Sequence, residues 1–109
     1  MAELLGTFEQ SVLLSIFGLR DEAYGRAILN HVQELLQRNV SAGAVYATLE
    51  RLEARGLVLS RLAEGSPARG GRARRYYTVA GEGERALSET QKALTAIWKD
   101  VQLPIQEGL

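Results

Sequence analysis

Arginine is the residue type best placed for chemistry in this sequence. Residues 55–79 hold six of them (Arg55, Arg61, Arg69, Arg72, Arg74, Arg75) against a single acid, Glu64, which gives the block a net charge of +5. The rest of the chain carries seven basic against twelve acidic side chains, net −5, so the whole sums to zero. Taken alone, that zero argues against a polyanionic partner, because displacing counterions from nucleic acid needs a basic footprint. Its distribution argues the opposite, since a segregated patch creates a local potential that draws anions in. Both lysines, Lys92 and Lys99, lie outside the block, which leaves it to arginine, the side chain whose planar fork of donors matches phosphate. The plain alternative is a solvated surface loop.

Other chemistries lack their residues. The absence of cysteine excludes disulfides and thiolate metal sites, and one histidine, His31, cannot build the usual transition-metal cluster. Nucleophilic or acid–base catalysis needs a paired nucleophile and base, and Ser11, Ser15, His31 and the scattered acids show no such spacing. No catalytic residue, metal or cofactor is therefore expected. His31 sits beside Ile28 and Leu35 and reads as a structural or surface histidine rather than a pH sensor. No eighteen-residue apolar run and no basic N-terminal region precede the first periodic segment, so neither a membrane span nor a secretory signal is expected and the chain reads as cytoplasmic.

The arginines must be positioned by the elements around them. Phe8, Val12, Leu13, Ile16 and Phe17 repeat at helical spacing over Thr7–Leu19. A second helical pattern over about 23–37 turns Ile28, Leu29, Val32, Leu35 and Leu36 inward. Ser41 is a favoured N-cap for a third segment, Ala42–Arg55. At about 100° per residue, Val45, Leu49 and Leu52 share one face of it, and Gly43, Ala47, Glu50, Arg51 and Ala54 share the other. Gly56 is placed to end that helix in the left-handed region that glycine occupies freely. Leu57–Ala63 and Arg74–Val79 read as strands, joined by a glycine- and proline-containing turn with a cationic tip. In the second strand Tyr76 and Tyr77 must face opposite sides, as must Arg74 and Arg75. A final helix is predicted over about 82–102, with Leu87, Thr90, Leu94, Ile97 and Val101 in one stripe and Pro104 marking its end.

Two helices, a capped third helix and a hairpin form the order of a winged helix-turn-helix, in which the third helix enters the DNA major groove beside the hairpin, or wing. The expected fold is mostly α with a small β-hairpin: a DNA-binding unit over residues 6–80 and a long C-terminal dimerisation helix over 81–103. Gly43, Ala44 and Ala47 would let the helix backbone approach base edges, the N–H groups near Ser41 could meet a phosphate, and Arg69 and Arg72 would place charge at a flexible wing tip.

Several of these residues also resemble a known family. Tyr24-Gly25, the run from Ser41 through Tyr46 to Leu49, Arg51-Leu52-Glu53-Ala54-Arg55-Gly56-Leu57, and Arg75-Tyr76-Tyr77 with Gly83 are similar to the PadR family of bacterial transcriptional regulators, over roughly residues 6–100. The family usually has threonine after the second strand to cap the final helix, where this chain has Ala80-Gly81. The resemblance implies a homodimeric repressor or repressor-like regulator. It points to Tyr46 as a phosphate contact, although a tyrosine on that shoulder can equally pack its ring and leave its hydroxyl wet. Arg51 is either a DNA contact or a surface arginine, and Tyr24 either binds phosphate or seals helix packing. Dimerisation would use Leu87, Leu94, Ile97, Trp98 and Val101, which would otherwise face water, and would imply a pseudo-palindromic operator on double-stranded DNA. Trp98 reads as an interface anchor; in multidrug-sensing members of this family a tryptophan near this place stacks on flat aromatic ligands, which makes a small aromatic effector a candidate partner. The competing function is a winged-helix module that dimerises and binds protein without specific DNA binding.

Overall fold

The computed structural model describes residues 4–107. Its helices are α1 (Thr7–Leu19), α2 (Gly25–Leu36), α3 (Ala42–Ala54), α4 (Gly81–Trp98) and a short α5 (Pro104–Glu107), with strands β1 (Val58–Ala63) and β2 (Arg74–Val79) between α3 and α4. This is the expected mostly α architecture with one antiparallel hairpin.

Helix α1 starts where the Gly6 N–H, one of the donors a helix start leaves unpaired, reaches Glu9 Oε1 at 3.0 Å. Val12, Leu13 and Ile16 are buried, whereas Phe17, inward by spacing, is 43% exposed. His31 bridges α1 to α2 through a 2.9 Å hydrogen bond between its Nδ1 and the Ser15 hydroxyl, the structural role its surroundings suggested. In α2, Ile28 and Val32 are fully buried, but Leu35 is 49% exposed against expectation. Helical angle fixes which face a side chain occupies, not whether another element reaches that level of the axis. Helix α3 is capped by Ser41, whose Oγ accepts from Ala44 N at 3.0 Å, and Val45, Thr48, Leu49 and Leu52 fill the core beneath it. Gly56 follows its end at φ +76, where any side chain would be strained.

The strands pair from Val58↔Val79 to Ala63↔Arg74. On the other edge of β2, Tyr24 forms an isolated antiparallel bridge with Tyr76 and the Tyr77 N–H donates to the Ala23 carbonyl at 2.8 Å. This fixes the wing against the start of α2, a pairing between distant residues that no local pattern announces.

Ala80 cannot cap α4 with its side chain; instead its N–H donates to the Leu57 carbonyl at 2.9 Å, and its own carbonyl accepts from Glu84 N at 3.0 Å. Gly83 is required by packing. A Cβ there would overlap the Leu57 carbonyl oxygen and stand 2.8 Å from Val79 Cγ1. Gly83, Ala86 and Thr90 are buried, and Thr90 Oγ1 accepts from Leu5 N at 3.0 Å, so the first half of α4 belongs to the core. The helix stops at Trp98, short of the expected 102, because Lys99 is extended and Asp100 is left-handed at φ +61. Val101 therefore lies beyond the helix, and Pro104 opens α5, a position where its missing N–H costs nothing.

Candidate nucleic-acid interface

Helix α3 presents Ser41, Gly43, Ala44, Ala47, Glu50, Arg51 and Ala54 to solvent. Its N-terminal half is small and smooth, and the long side chains come later. Arg51 is steadied by its own helix, with Nη2 donating to Thr48 Oγ1 at 2.9 Å. Tyr46 is 44% exposed and its ring lies on Gly25, where an added Cβ would come within 2.6 Å of Cε1. The glycine beside Tyr24 thus makes room for a tyrosine of another helix.

The wing divides its paired residues between two faces. On the face toward α3, Tyr77 is buried, and burial pushes its phenol pKa above the usual value despite the opposing pull of Arg75. Arg75 Nη1 donates to Ser60 Oγ at 3.0 Å, and that hydroxyl donates to Glu53 Oε2 at 2.6 Å, a relay that ties both strands to the end of α3. On the other face Tyr76 meets Tyr24 edge-on, with ring centroids 5.8 Å apart and planes at 67°. The Arg74 guanidinium stacks 3.7 Å from the Tyr24 ring centre, and Arg61 lies 4.9 Å from that of Tyr76. Stacking occupies the face of a guanidinium and leaves its in-plane N–H donors free. The two adjacent arginines therefore differ in kind: Arg75 is engaged in a hydrogen-bonded tie, and Arg74 is oriented with its donors available.

Between the start of α2, Tyr46 and the wing tip opens a cleft of about 680 Å³. Tyr24, Tyr46, Arg69, Arg72, Arg74 and Arg75, all singled out from the sequence, line it together. Ser41, Gly43, Ala44, Ala47 and Arg51 do not; they form the exposed face of α3. One participant was missed. Arg26 lines the cleft from the first turn of α2, far in sequence from the arginine block, and the backbone pairing of residues 23 and 24 with β2 brings it there. Arg61, counted for charge, lies outside the cleft, 4.9 Å from the Tyr76 ring centre. Conversely, Arg55 belongs to the charge block yet pairs with Glu9 of α1 at 3.0 Å.

The second candidate surface is C-terminal. Beyond Thr90 no described side chain is buried. Leu94, Ile97, Trp98 and Val101 are 40%, 68%, 48% and 49% exposed, while Leu87 is half-buried against the core. With Leu14 and Phe17 of α1, Leu87 and Leu94 form the apolar part of a groove of about 460 Å³ that Gln10, Glu84, Ser88, Gln91 and Thr95 also line. Among the described residues no group of three or more histidines or acids could hold a metal ion, and no helix is long and apolar enough to cross a membrane.

A capped third helix with a smooth outer face, beside a wing stacked on the second helix, defines a winged helix-turn-helix protein. Residues 13–89 match the transcriptional regulator PadR-like family, and the chain belongs to that family. It is 42% identical over 64 residues to the transcriptional regulator Rv3488 of Mycobacterium tuberculosis, a match covering 57% of this chain and 54% of that relative; this chain thus spans about half the relative's length. A PadR family transcription regulator from Clostridium difficile R20291 superposes with a TM-score of 0.69 at 25% identity, covering 86% of this chain and 93% of that one. A PadR family regulator from Eggerthella lenta gives a TM-score of 0.63 at 30% identity over 79% and 72% of the two chains. The winged fold and the family match therefore agree over most of the chain.

Proposed function

We propose that the protein is a homodimeric repressor that holds a pseudo-palindromic operator and is released by a small aromatic molecule or another signal. The observation that carries the DNA-binding part is the arginine-lined cleft beside the smooth face of α3. In this reading Gly43, Ala44 and Ala47 bring the α3 backbone close to base edges, and Ser41 leaves N–H groups for a phosphate. The Tyr46 hydroxyl and Arg69, Arg72 and Arg74 meet backbone phosphates, and Arg51 reaches the backbone or a base edge. Arg75 contributes charge while its tie to Ser60 and Glu53 keeps the wing against α3. Tyr24 acts through Arg74.

Residues 6–80 would form the DNA-binding unit and 81–103 the dimerisation segment. Helix α4 has 18 residues, about 27 Å at the usual rise, and among the described residues none buries a side chain of its second half beyond Thr90. A partner copy laid on Leu94, Ile97, Trp98 and Val101, with Leu87 at the edge, would bury that stripe. A two-fold axis there would set the two α3 helices about one DNA turn, roughly 34 Å, apart. Trp98, at the exposed end of α4, is the residue we assign to effector stacking. Its fluorescence should be quenched by planar cationic dyes, and emission unchanged at saturating dye would remove that role.

The test of the main reading is a titration of the protein with a duplex from its own promoter region and with an unrelated duplex across salt. A repressor with several phosphate contacts loses affinity steeply as salt rises, by about 0.9 in log–log slope per contact. A flat response with both duplexes would instead support a module that dimerises and binds protein only.

A further inference from the structure

The cleft holds more cationic capacity than one DNA phosphate needs. Five arginines line it (Arg26, Arg69, Arg72, Arg74, Arg75), and no acidic side chain does. Among the described residues none of the five forms an ion pair with a carboxylate. Like charges brought to one recess repel unless an anion lies among them. Two further observations point to an oxygen-rich anion. Arg69 has its Nε buried without a hydrogen-bond partner, although one of its terminal nitrogens is held by the Glu64 carbonyl. Arg74 is clamped face-on to Tyr24, so its in-plane donors point away from the ring. The Tyr46 hydroxyl, seated over Gly25, adds a neutral donor to the same wall.

We propose that this recess is a phosphate-binding site in which Arg26, Arg69, Arg72 and Arg74 are the cationic ligands. It accepts either a phosphodiester of the DNA backbone or the phosphate of a small phosphorylated molecule, and the second, once bound, excludes the first. Only the DNA source rests on the repressor reading; the free phosphate does not. Arg26 is the residue to test because it is exposed and lies in the first turn of α2.

The full-length chain and Arg26→Ala are compared in two arms, with a thermal melt of each to verify equal folding. In the first arm, a promoter duplex and an unrelated duplex are bound across salt. The variant should weaken both to the same degree and lower the log–log slope by about 0.9, the loss of one phosphate contact. In the second, inorganic pyrophosphate competes with the promoter duplex at constant ionic strength, with chloride as the control. Pyrophosphate should displace DNA from the natural chain where chloride does not, and Arg26→Ala should resist it. A changed slope without competition assigns the site to backbone phosphate alone. If no slope change accompanies direct pyrophosphate binding that Arg26→Ala abolishes, the site is assigned to free phosphate. If the slope is unchanged and pyrophosphate neither competes nor binds, the proposal is overturned. If the natural chain binds no duplex in a salt-dependent way, the repressor reading fails by itself, and direct pyrophosphate binding, read calorimetrically, decides the inference.

Discussion

Removing the Tyr24 side chain should weaken the wing's attachment while leaving the domain folded. The ring makes an edge-on contact with Tyr76 at 5.8 Å and carries the Arg74 guanidinium at 3.7 Å. Aromatic pairs contribute about 0.5–1.5 kcal/mol beyond their area, and a partly exposed cation–π contact about 0.5–1 kcal/mol. Tyr24→Ala should therefore lose about 1–2.5 kcal/mol, and each kcal/mol lowers Tm by roughly 4–8 °C in a domain of this size. The backbone tie from Tyr77 N to the Ala23 carbonyl at 2.8 Å survives the change, so the hairpin stays in register. Duplex affinity should fall roughly two- to five-fold, the equivalent of about 0.5–1 kcal/mol, as Arg74 loses its fixed direction. Tyr24→Phe keeps both ring contacts and should match the natural chain in melting and in binding. A double-mutant cycle of Tyr24→Ala with Arg74→Ala should show coupling near 0.5–1 kcal/mol in DNA binding. Two results would refute the reasoning. If Tyr24→Phe binds as weakly as Tyr24→Ala without melting lower, the hydroxyl itself touches phosphate; if the cycle is additive, Tyr24 does not position Arg74.

Other outcomes follow from single contacts. Gly83→Ala forces a methyl into the Leu57 carbonyl and to 2.8 Å from Val79 Cγ1, and should destabilise the fold by about 1–3 kcal/mol, the usual penalty for overpacking, as read by denaturant unfolding. Ile97 is 68% exposed, so Ile97→Asp should leave monomer stability nearly unchanged while sedimentation reports loss of the dimer; a persisting dimer would place the interface elsewhere. Replacing Arg69 and Arg72 with Ala should weaken binding to cognate and unrelated duplexes alike and flatten the salt slope, whereas a loss confined to the cognate operator would mean that the wing reads sequence. The Tyr77 phenol titrates higher when folded than when unfolded, so the native state holds its proton more tightly. Its contribution is present below the unfolded value of about 10 and is lost as pH rises through the higher folded value. Tyr77→Phe should remove part of the fall in Tm above pH 10, and an identical alkaline profile would show that this phenol does not contribute.

Much of the architecture was legible in local patterns. The bounds of α1, the Ser41 cap of α3, the left-handed Gly56 and the extent of β2 follow from helical periodicity, hydrogen-bonding side chains and backbone permissiveness, which act within a few residues. The same locality explains the misses. Periodicity extended α4 to 102, but a left-handed Asp100 ended it at Trp98, and an aspartate gives a weaker stop signal than a glycine. Leu35 and Phe17 shared a face with core residues without sharing their depth.

By itself the sequence determined the chemistry that this protein offers, because residue type alone decides that arginine supplies the charge and that no thiolate or histidine cluster exists. Tertiary structure decided which arginines act together. A backbone bridge between Tyr24 and Tyr76 carries Arg26 to the wing, and an ion pair with Glu9 of α1 draws Arg55 away from a block to which it belongs only in sequence. A charge count along the chain cannot reveal this, since Coulomb energy and hydrogen bonding depend on distance in space, and that distance is set by the pairing of residues some fifty positions apart.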